Sequence, residues 1–291
     1  PLGDAASVQR TGDCNYGGTA DTTATFTTAS GYLAHAAEGI DTVARNEFQC
    51  MSSTTYDVLV PGTSNNLLGT KTSFAMGLAL TANDLAQLAA TDTSLIWSPR
   101  SNVAIYGNTI PLSIANRLGV RIALGTDWTV TGSTNLLREL ACADRLNSLY
   151  FANALSDQQL WNTVTGNAAE VAGVGTSLGA LAPGRLADIA IFDGRVRTGY
   201  RAVLAAQPQD VALVMRGGIA LYGDTSLVSV LRISGCEVLS VCGQTRSVCV
   251  QAETSLTFAQ AQTAAGVGAL PAFECAPSAV EPACTPSRPI S

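Results

Sequence analysis

The sequence is poor in two residue types, with one histidine and one lysine among its 291 residues. The lysine is Lys71, and arginines supply the remaining positive charge, which the acidic residues outweigh to give a net charge of -6. No cluster of basic residues occurs. Nucleic acids and anionic membranes attract proteins through such clusters, so we expect neither as a partner. A small-molecule substrate is the better expectation.

Long apolar runs and several common catalytic motifs are also missing. No apolar run approaches the roughly 20 residues that a membrane-spanning helix needs, so no transmembrane span is predicted. There is no phosphate-binding loop, and the glycine-rich run at 173–179 follows a helical pattern rather than a strand, unlike a nucleophile elbow or a dinucleotide-binding loop. The first residue is Pro1 rather than methionine, which leaves the natural start and any signal peptide outside this sequence.

The cysteines contain no Cys-x-x-Cys pair, which argues against a zinc ribbon or a thioredoxin-type redox site. Five of the eight lie in the last quarter of the chain, among Gly, Pro and Ser. These are Cys236, Cys242, Cys249, Cys275 and Cys284. Disulfides in an exported or periplasmic protein would explain this crowding. The alternative is a set of reduced, half-buried thiols in a cytosolic protein.

Between Gly31 and about Leu149, short apolar runs alternate with helical patterns, which predicts repeated βα units and a parallel sheet. The candidate strands are residues 32–35, 72–76, 94–97 and 121–125. We expect a helix after each strand. Thr81 with Asp84 and Ser156 with Gln159 are signals for the start of a helix, and Gly119 is a signal for the end of one.

From Ala187 the pattern changes to strands at residues 187–192, 211–215 and 219–222. Gly217 and Gly218 separate the last two and permit positive φ, so a β-hairpin is predicted there. Beyond about Glu253 the sequence shows little periodicity, and we expect an irregular tail packed on the β region.

Three positions stand where a functional side chain would be expected in a barrel of parallel strands, at the carboxyl end of a strand. They are His35, Met76 and Asp127, and Glu38 falls on the loop that leaves the same strand as His35. A histidine and two carboxylates on adjacent strand ends could bind a divalent metal or move protons.

Four segments, in this order, resemble the amidohydrolase superfamily, and in particular its chlorohydrolases and its cyclic-amine or nucleobase deaminases. The first two are His35-x-x-Glu38 and the run IWSPRSN at 96–102. The last two are ALGTDW at 123–128 and the NAA at 167–169 that precedes GALAPGRLAD at 179–188. The resemblance covers roughly residues 30 to 225.

The resemblance implies an α/β fold containing part of a TIM-type (β/α) barrel, namely the family's strands five to eight, with a small, mostly β C-terminal domain. The corresponding division places the barrel part at 1–185, the small β domain at 186–252 and the irregular tail, which contains Cys and Pro, at 253–291. The implied activity is that of a metal-dependent hydrolase in which water attacks a C–N bond, as in a deaminase or amidase.

The resemblance also implies roles for individual residues. His35 and Asp127 would bind a divalent metal, with zinc expected. Asp127 would also activate water, and Glu38 would pass a proton to the leaving nitrogen. Asn102 and Trp128 follow strand ends and are candidate substrate contacts, with turn formation and packing as their respective alternatives.

Two departures from the family pattern concern the metal. No His-x-His precedes His35, and Met76 stands where the family has a histidine ligand, although a thioether is a poor ligand for zinc. A catalytic zinc site usually needs three protein ligands. Using Glu38 as the third would remove the proton shuttle. We therefore expect an incomplete site in this chain alone.

Either another polypeptide supplies barrel strands one to four, or the chain is a catalytically degenerate or truncated relative that acts in binding or assembly.

Overall fold

The computed structural model describes residues 2, 6–18, 20–57, 63–266, 271–278 and 280–290. They form two compact units, of which the first contains the residues up to Gly179 together with those from Val280 onward. The second lies between Ala180 and Ala279. Within the described ranges, no helix has the length and apolar character needed to cross a membrane.

The first unit contains a four-stranded parallel sheet in the order β1-β2-β3-β4. The strands are β1 (Tyr32–Ala36), β2 (Thr72–Met76), β3 (Ser94–Trp97) and β4 (Ile122–Leu124). They lie within one residue of the four apolar runs, so the predicted parallel α/β arrangement is confirmed. The register pairs Ala36 with Met76 and Trp97 with Leu124, which brings the carboxyl ends of the strands to one edge.

Helices follow the strands of the first unit. They are α1 (Thr42–Ser52), α2 (Ala82–Ala90), α3 (Pro99–Tyr106), α4 (Leu112–Arg117), α5 (Leu136–Tyr150), α6 (Asp157–Thr163) and α7 (Gly166–Val171), and a 3-10 turn spans Thr23–Phe26. The capping boxes predicted at Thr81 and Ser156 are present. Gly119 adopts the left-handed conformation beyond α4, with φ of +79°, as glycine readily does.

Large apolar side chains from the strands and from the helices packed on them form the core of the first unit. The rings of Phe48 on α1 and Phe74 on β2 meet edge to face at 5.8 Å, and both are fully buried. Trp97 is also fully buried, and its indole nitrogen donates a hydrogen bond to Thr109 Oγ1 at 2.7 Å. Burying one such side chain contributes about 2 kcal/mol to the free energy of unfolding. The core therefore holds in place the sheet edge that bears the candidate residues.

The second unit is a five-stranded antiparallel sheet in the order β5-β6-β7-β9-β8. Its strands are β5 (Ile189–Phe192), β6 (Val211–Arg216), β7 (Ile219–Asp224), β8 (Glu237–Val241) and β9 (Gln244–Val248). The predicted hairpin joins β6 to β7, with Gly217 and Gly218 both at positive φ. A second hairpin, β8–β9, turns at Cys242 and Gly243, also at positive φ, and was not predicted.

The tail beyond Glu253 differs from the irregular chain that the sequence predicted. The second unit contains helices α8 (Tyr200–Leu204), α9 (Thr225–Val230), α10 (Gln251–Thr254) and α11 (Phe258–Ala265), and a 3-10 turn at Pro208–Asp210. Thr257 and Gln260 form a capping box that starts α11, a local signal that the weak apolar periodicity obscured. Residues 280–290 belong to the first unit.

All eight cysteines are paired in disulfides. The first unit holds Cys14–Cys50 and Cys142–Cys284, and the second holds Cys236–Cys249 and Cys242–Cys275. The expected cross-linking of the C-terminal cysteines is therefore confirmed, and the three scattered cysteines are cross-linked as well. Four disulfides indicate an oxidising environment.

Candidate active site

His35 and Glu38 form an ion pair at the carboxyl edge of the parallel sheet. His35 is the fourth residue of β1, and its Nδ1 lies 2.6 Å from Glu38 Oε2. The hydrogen bond to Glu38 raises the pKa of His35 above its ordinary value, although partial burial opposes the shift. The carboxylates of Asp127 and Glu47 raise this pKa further. The imidazole therefore holds a proton more readily than a free histidine does.

Tyr106 contacts the other oxygen of Glu38. Its hydroxyl, at the end of α3, donates to Glu38 Oε1 at 3.3 Å. Burial, with the negative charge of Glu38 next in importance, raises the pKa of Tyr106 well above its ordinary value, so the phenol keeps its proton. Tyr106 is absent from the predicted site residues, because the weak apolar pattern of residues 99–106 did not indicate the helix that carries it.

Asp127 follows β4 by three residues, at a positive φ of +54°. Its Oδ2 accepts a hydrogen bond from Ser101 Oγ, in the first turn of α3. The same Ser101 hydroxyl lies 2.9 Å from Thr131 Oγ1. Ser101 belongs to the 96–102 run but had no assigned role, and the structure places it as the direct support of Asp127.

Met76 and Asn102 contact each other inside the core. Both are fully buried, and Asn102 Nδ2 lies 3.4 Å from Met76 Sδ. Asn102 Oδ1 accepts a hydrogen bond from Thr109 Oγ1 at 3.1 Å. The contacts of Asn102 are thus internal, and a substrate-binding role for it stays a prediction. Trp128 is 66% exposed, so its ring is open to solvent beside Asp127.

A cavity of about 940 Å³ opens beside the ion pair. Its lining includes His35, Glu38 and Tyr106, together with Tyr16, Asp41 and Glu47. Asp127 and Trp128 are not among its described lining residues. The structure therefore brings the proton-handling residues together around one cavity, while the carboxylate after β4 stands outside its wall.

The side chains of the described residues do not form a three-ligand metal site. Among the described residues there is no group of three or more His, Cys, Asp and Glu side chains that could hold a metal ion. His35 and Asp127 remain the two candidate donors, and Glu38 is already engaged by His35 and Tyr106. The sulfur of Met76 faces Asn102.

The sequence of this chain matches a known protein family. A model of the amidohydrolase family matches residues 26–221, well over half of the chain. The chain belongs to the amidohydrolase family.

Similar curated proteins include deaminases. A 5-methylthioadenosine/S-adenosylhomocysteine deaminase from Pyrococcus abyssi is 27% identical over 174 residues, which cover 56% of this chain and 40% of that protein. A 5'-deoxyadenosine deaminase from Methanosphaera stadtmanae is 27% identical over 179 residues, 57% of this chain and 41% of that protein. The chain thus spans less than half the length of these relatives.

Two solved structures share the fold. An adenosine deaminase from Xanthomonas campestris with bound zinc superposes with a TM-score of 0.53 at 18% identity, covering 69% of this chain and 49% of that one. An atrazine chlorohydrolase from Arthrobacter aurescens, complexed with zinc, gives 0.52 at 21% identity, covering 68% and 46%. At these identities the likeness is one of fold alone.

Proposed function

We propose that this chain is the C-terminal part of an amidohydrolase-type hydrolase that acts on a C–N bond of a small molecule. Strands β1 to β4 would be strands five to eight of its (β/α) barrel. The observation that carries the proposal is the His35–Glu38–Tyr106 arrangement at the carboxyl edge of the sheet, beside a cavity large enough for a small molecule.

The proposed reaction requires a proton transfer that this chain can provide. Hydrolytic deamination adds water across a C–N bond and expels ammonia, so the leaving nitrogen must gain a proton. Glu38 sits between a histidine of raised pKa and a protonated phenol, where it can take up and release a proton. We assign Glu38 the proton transfer, Asp127 the activation of water, and Trp128 a contact with substrate.

We further propose that a divalent metal, zinc by family resemblance, needs ligands beyond this set. His35 and Asp127 are its two candidate ligands here. Strands one to four of the barrel would supply the others, from a polypeptide segment outside the described residues. When bound, the metal would acidify water for attack on the substrate carbon.

Adenosine derivatives are the first substrates to test, because the relatives named above are deaminases of such compounds. The experiment adds zinc to the purified chain, with and without a segment that supplies the remaining strands. Bound metal is measured by elemental analysis and turnover by ammonia release. We expect both only in the completed assembly. Absence of both in that assembly would refute the proposal.

Glu38→Gln tests the proton-transfer role in the completed assembly. The amide keeps the size of the side chain but cannot carry the proton, and general acid–base catalysis typically contributes about 10²- to 10⁴-fold, so we expect kcat to fall in that range. Asp92→Asn is the matched control, since Asp92 is an exposed carboxylate that precedes β3 at the other edge of the sheet. Full activity in Glu38→Gln would remove Glu38 from the mechanism.

We keep as a second candidate a non-catalytic relative that acts in binding or assembly; its motivation is Met76, a methionine where the resemblance places a histidine ligand. Met76→His in the completed assembly separates the two. If activity appears only with histidine at this position, the natural protein is the non-catalytic form.

We also propose that the protein works in an exported or periplasmic compartment, which the four disulfides support. Peptide mapping by mass spectrometry of unreduced protein from its native source should recover all four cross-links. Free thiols throughout would contradict it.

A further inference from the structure

A buried charge lies at the start of α3. Arg100 is only 7% exposed, and burial lowers the pKa of its guanidinium. A buried charge is costly unless it is paired and hydrogen-bonded. Ser133 Oγ accepts a hydrogen bond from Arg100 Nε at 2.6 Å, but a hydroxyl does not neutralise the charge. The guanidinium of Arg100 therefore needs a carboxylate as its partner.

Glu281 supplies that carboxylate from the C-terminal segment. Its side chain is 1% exposed, and its Oε1 lies 2.9 Å from Arg100 Nη2. Arg138, on α5, donates to both oxygens of the same carboxylate. The carbonyl of the next residue, Pro282, accepts from Arg100 Nη1 at 2.5 Å. The segment around Glu281 thus pairs with two arginines, one on α3 and one on α5.

The same segment also contacts the other end of α3. The amides of Ser287 and Arg288 donate to the carbonyl of Gly107, the C-cap of α3, at 3.1 and 3.0 Å. A Cβ on Gly107 would lie 2.2 Å from Ser287 Oγ, so the approach is as close as glycine permits. Between these contacts, Cys284 is cross-linked to Cys142 on α5. We call residues 280–288 the strap.

Helix α3 carries two supports of the candidate site. Ser101, next to Arg100, donates to Asp127, and Tyr106, next to Gly107, donates to Glu38. Each support is therefore adjacent to a residue that the strap holds.

We propose that the strap positions the candidate catalytic carboxylates through α3, with Glu281 as the positioning residue that acts on Asp127 through Arg100 and Ser101. This inference rests on the proposed function, because it assigns the strap a part in that reaction. It extends the site to a segment more than 140 residues further along the chain.

The test uses Glu281→Gln in the full chain, with hydrogen exchange read residue by residue. The buried guanidinium of Arg100 and the partly buried guanidinium of Arg138 lose their carboxylate, so we expect amide exchange to rise at least tenfold in residues 99–107 and 126–131. Exchange in α2 should stay unchanged. Glu253→Gln is the matched control, because it removes the carboxylate of an exposed ion pair, with Arg216, in the second unit. A folded Glu281→Gln protein with unchanged exchange in α3 overturns the proposal, whether or not the protein is an enzyme.

Kinetics of the completed assembly test the link to Asp127. We expect Glu281→Gln to lower kcat about tenfold with little change in KM. In a Ser101→Ala background the same substitution should cause no further loss, since the route to Asp127 is already broken. A full, additive loss in that background would show that Glu281 does not act through Ser101.

A second variant covers the case in which Glu281→Gln does not fold. Replacing Cys142 and Cys284 together by serine releases the strap while keeping its charges. We expect faster exchange in both the strap and α3. If exchange rises in the strap alone, the strap does not position α3 and the proposal fails.

Discussion

At the scale of single residues, the carboxyl group of Glu139 on α5 lies buried beside Arg100. It is fully buried, and its Oε1 accepts a hydrogen bond from the Arg100 amide at 2.9 Å. Its Oε2 has no hydrogen-bond partner among the described residues. Burial raises the pKa of Glu139 to about 7, although hydrogen bonds from Ser133 and Arg100 oppose the shift. The carboxyl group of Glu139 therefore keeps its proton to a higher pH than a free glutamate does.

This pKa predicts how the free energy of unfolding changes with pH. The folded protein holds the Glu139 proton up to about pH 7, whereas a glutamate in the unfolded chain loses it near pH 4.5. Stability from this group is therefore complete below pH 4.5, falls as the pH rises towards 7, and then levels off. Glu139→Gln should remove this decline and be the more stable protein at pH 8, by up to about 3 kcal/mol.

Urea unfolding at pH 5, 6, 7 and 8 measures the effect. Asp92→Asn serves as the control, because it makes the same carboxyl-to-amide change at an exposed position of the same unit. A Glu139→Gln protein with the wild-type dependence on pH would show that Glu139 ionises normally in the fold.

At the scale of elements, the loop between β4 and α5 carries Asp127 and Trp128 and is closed by Gly132. The Gly132 amide donates to the carbonyl of Trp128 at 2.6 Å. A Cβ at this position would lie 1.7 Å from the carbonyl oxygen of Thr126. Because that oxygen belongs to the backbone, moving it would displace the whole loop. Only glycine therefore fits at this position.

Gly132→Ala is therefore expected to distort this loop and to destabilise the protein by about 1–3 kcal/mol, the usual cost of overpacking. Gly119→Ala is the comparison. A Cβ at Gly119 would meet open space, so this substitution costs only the strain of a positive φ, about 1 kcal/mol. Thermal unfolding ranks the two. Equal losses would mean that the loop adapts to the added methyl group.

At the scale of the whole molecule, two of the disulfides close loops of very different length. Cys142–Cys284 spans 142 residues, whereas Cys236–Cys249 spans 13. Because a cross-link restricts the unfolded chain more when its loop is longer, the loop-entropy estimate is about 5 kcal/mol for the first and about 3 kcal/mol for the second. Replacing each pair by serines and measuring urea unfolding should show the larger loss for Cys142–Cys284. The reverse order would show that native-state contacts dominate.

Much of the candidate site could be predicted because its signals are local. His35 and Glu38 are three residues apart, and Asp127 follows an apolar run. The hairpin at Gly217 and Gly218 needed only adjacent residues. Helix α3 was harder to predict, because only Ser98 separates it from β3 and its apolar pattern is weak, so the run at 96–102 indicated a family motif but no helix.

The sequence by itself determined the four strands of the parallel sheet, the β6–β7 hairpin and the family, because apolar runs, turn residues and the order of motifs are visible in neighbouring residues. Only the tertiary structure decided which cysteines pair, that Tyr106 meets Glu38, and that Glu281 neutralises Arg100. The physical reason is distance along the chain. A carboxylate and a guanidinium separated by about 180 residues show no periodicity that joins them, and their pairing follows only from packing around a shared core.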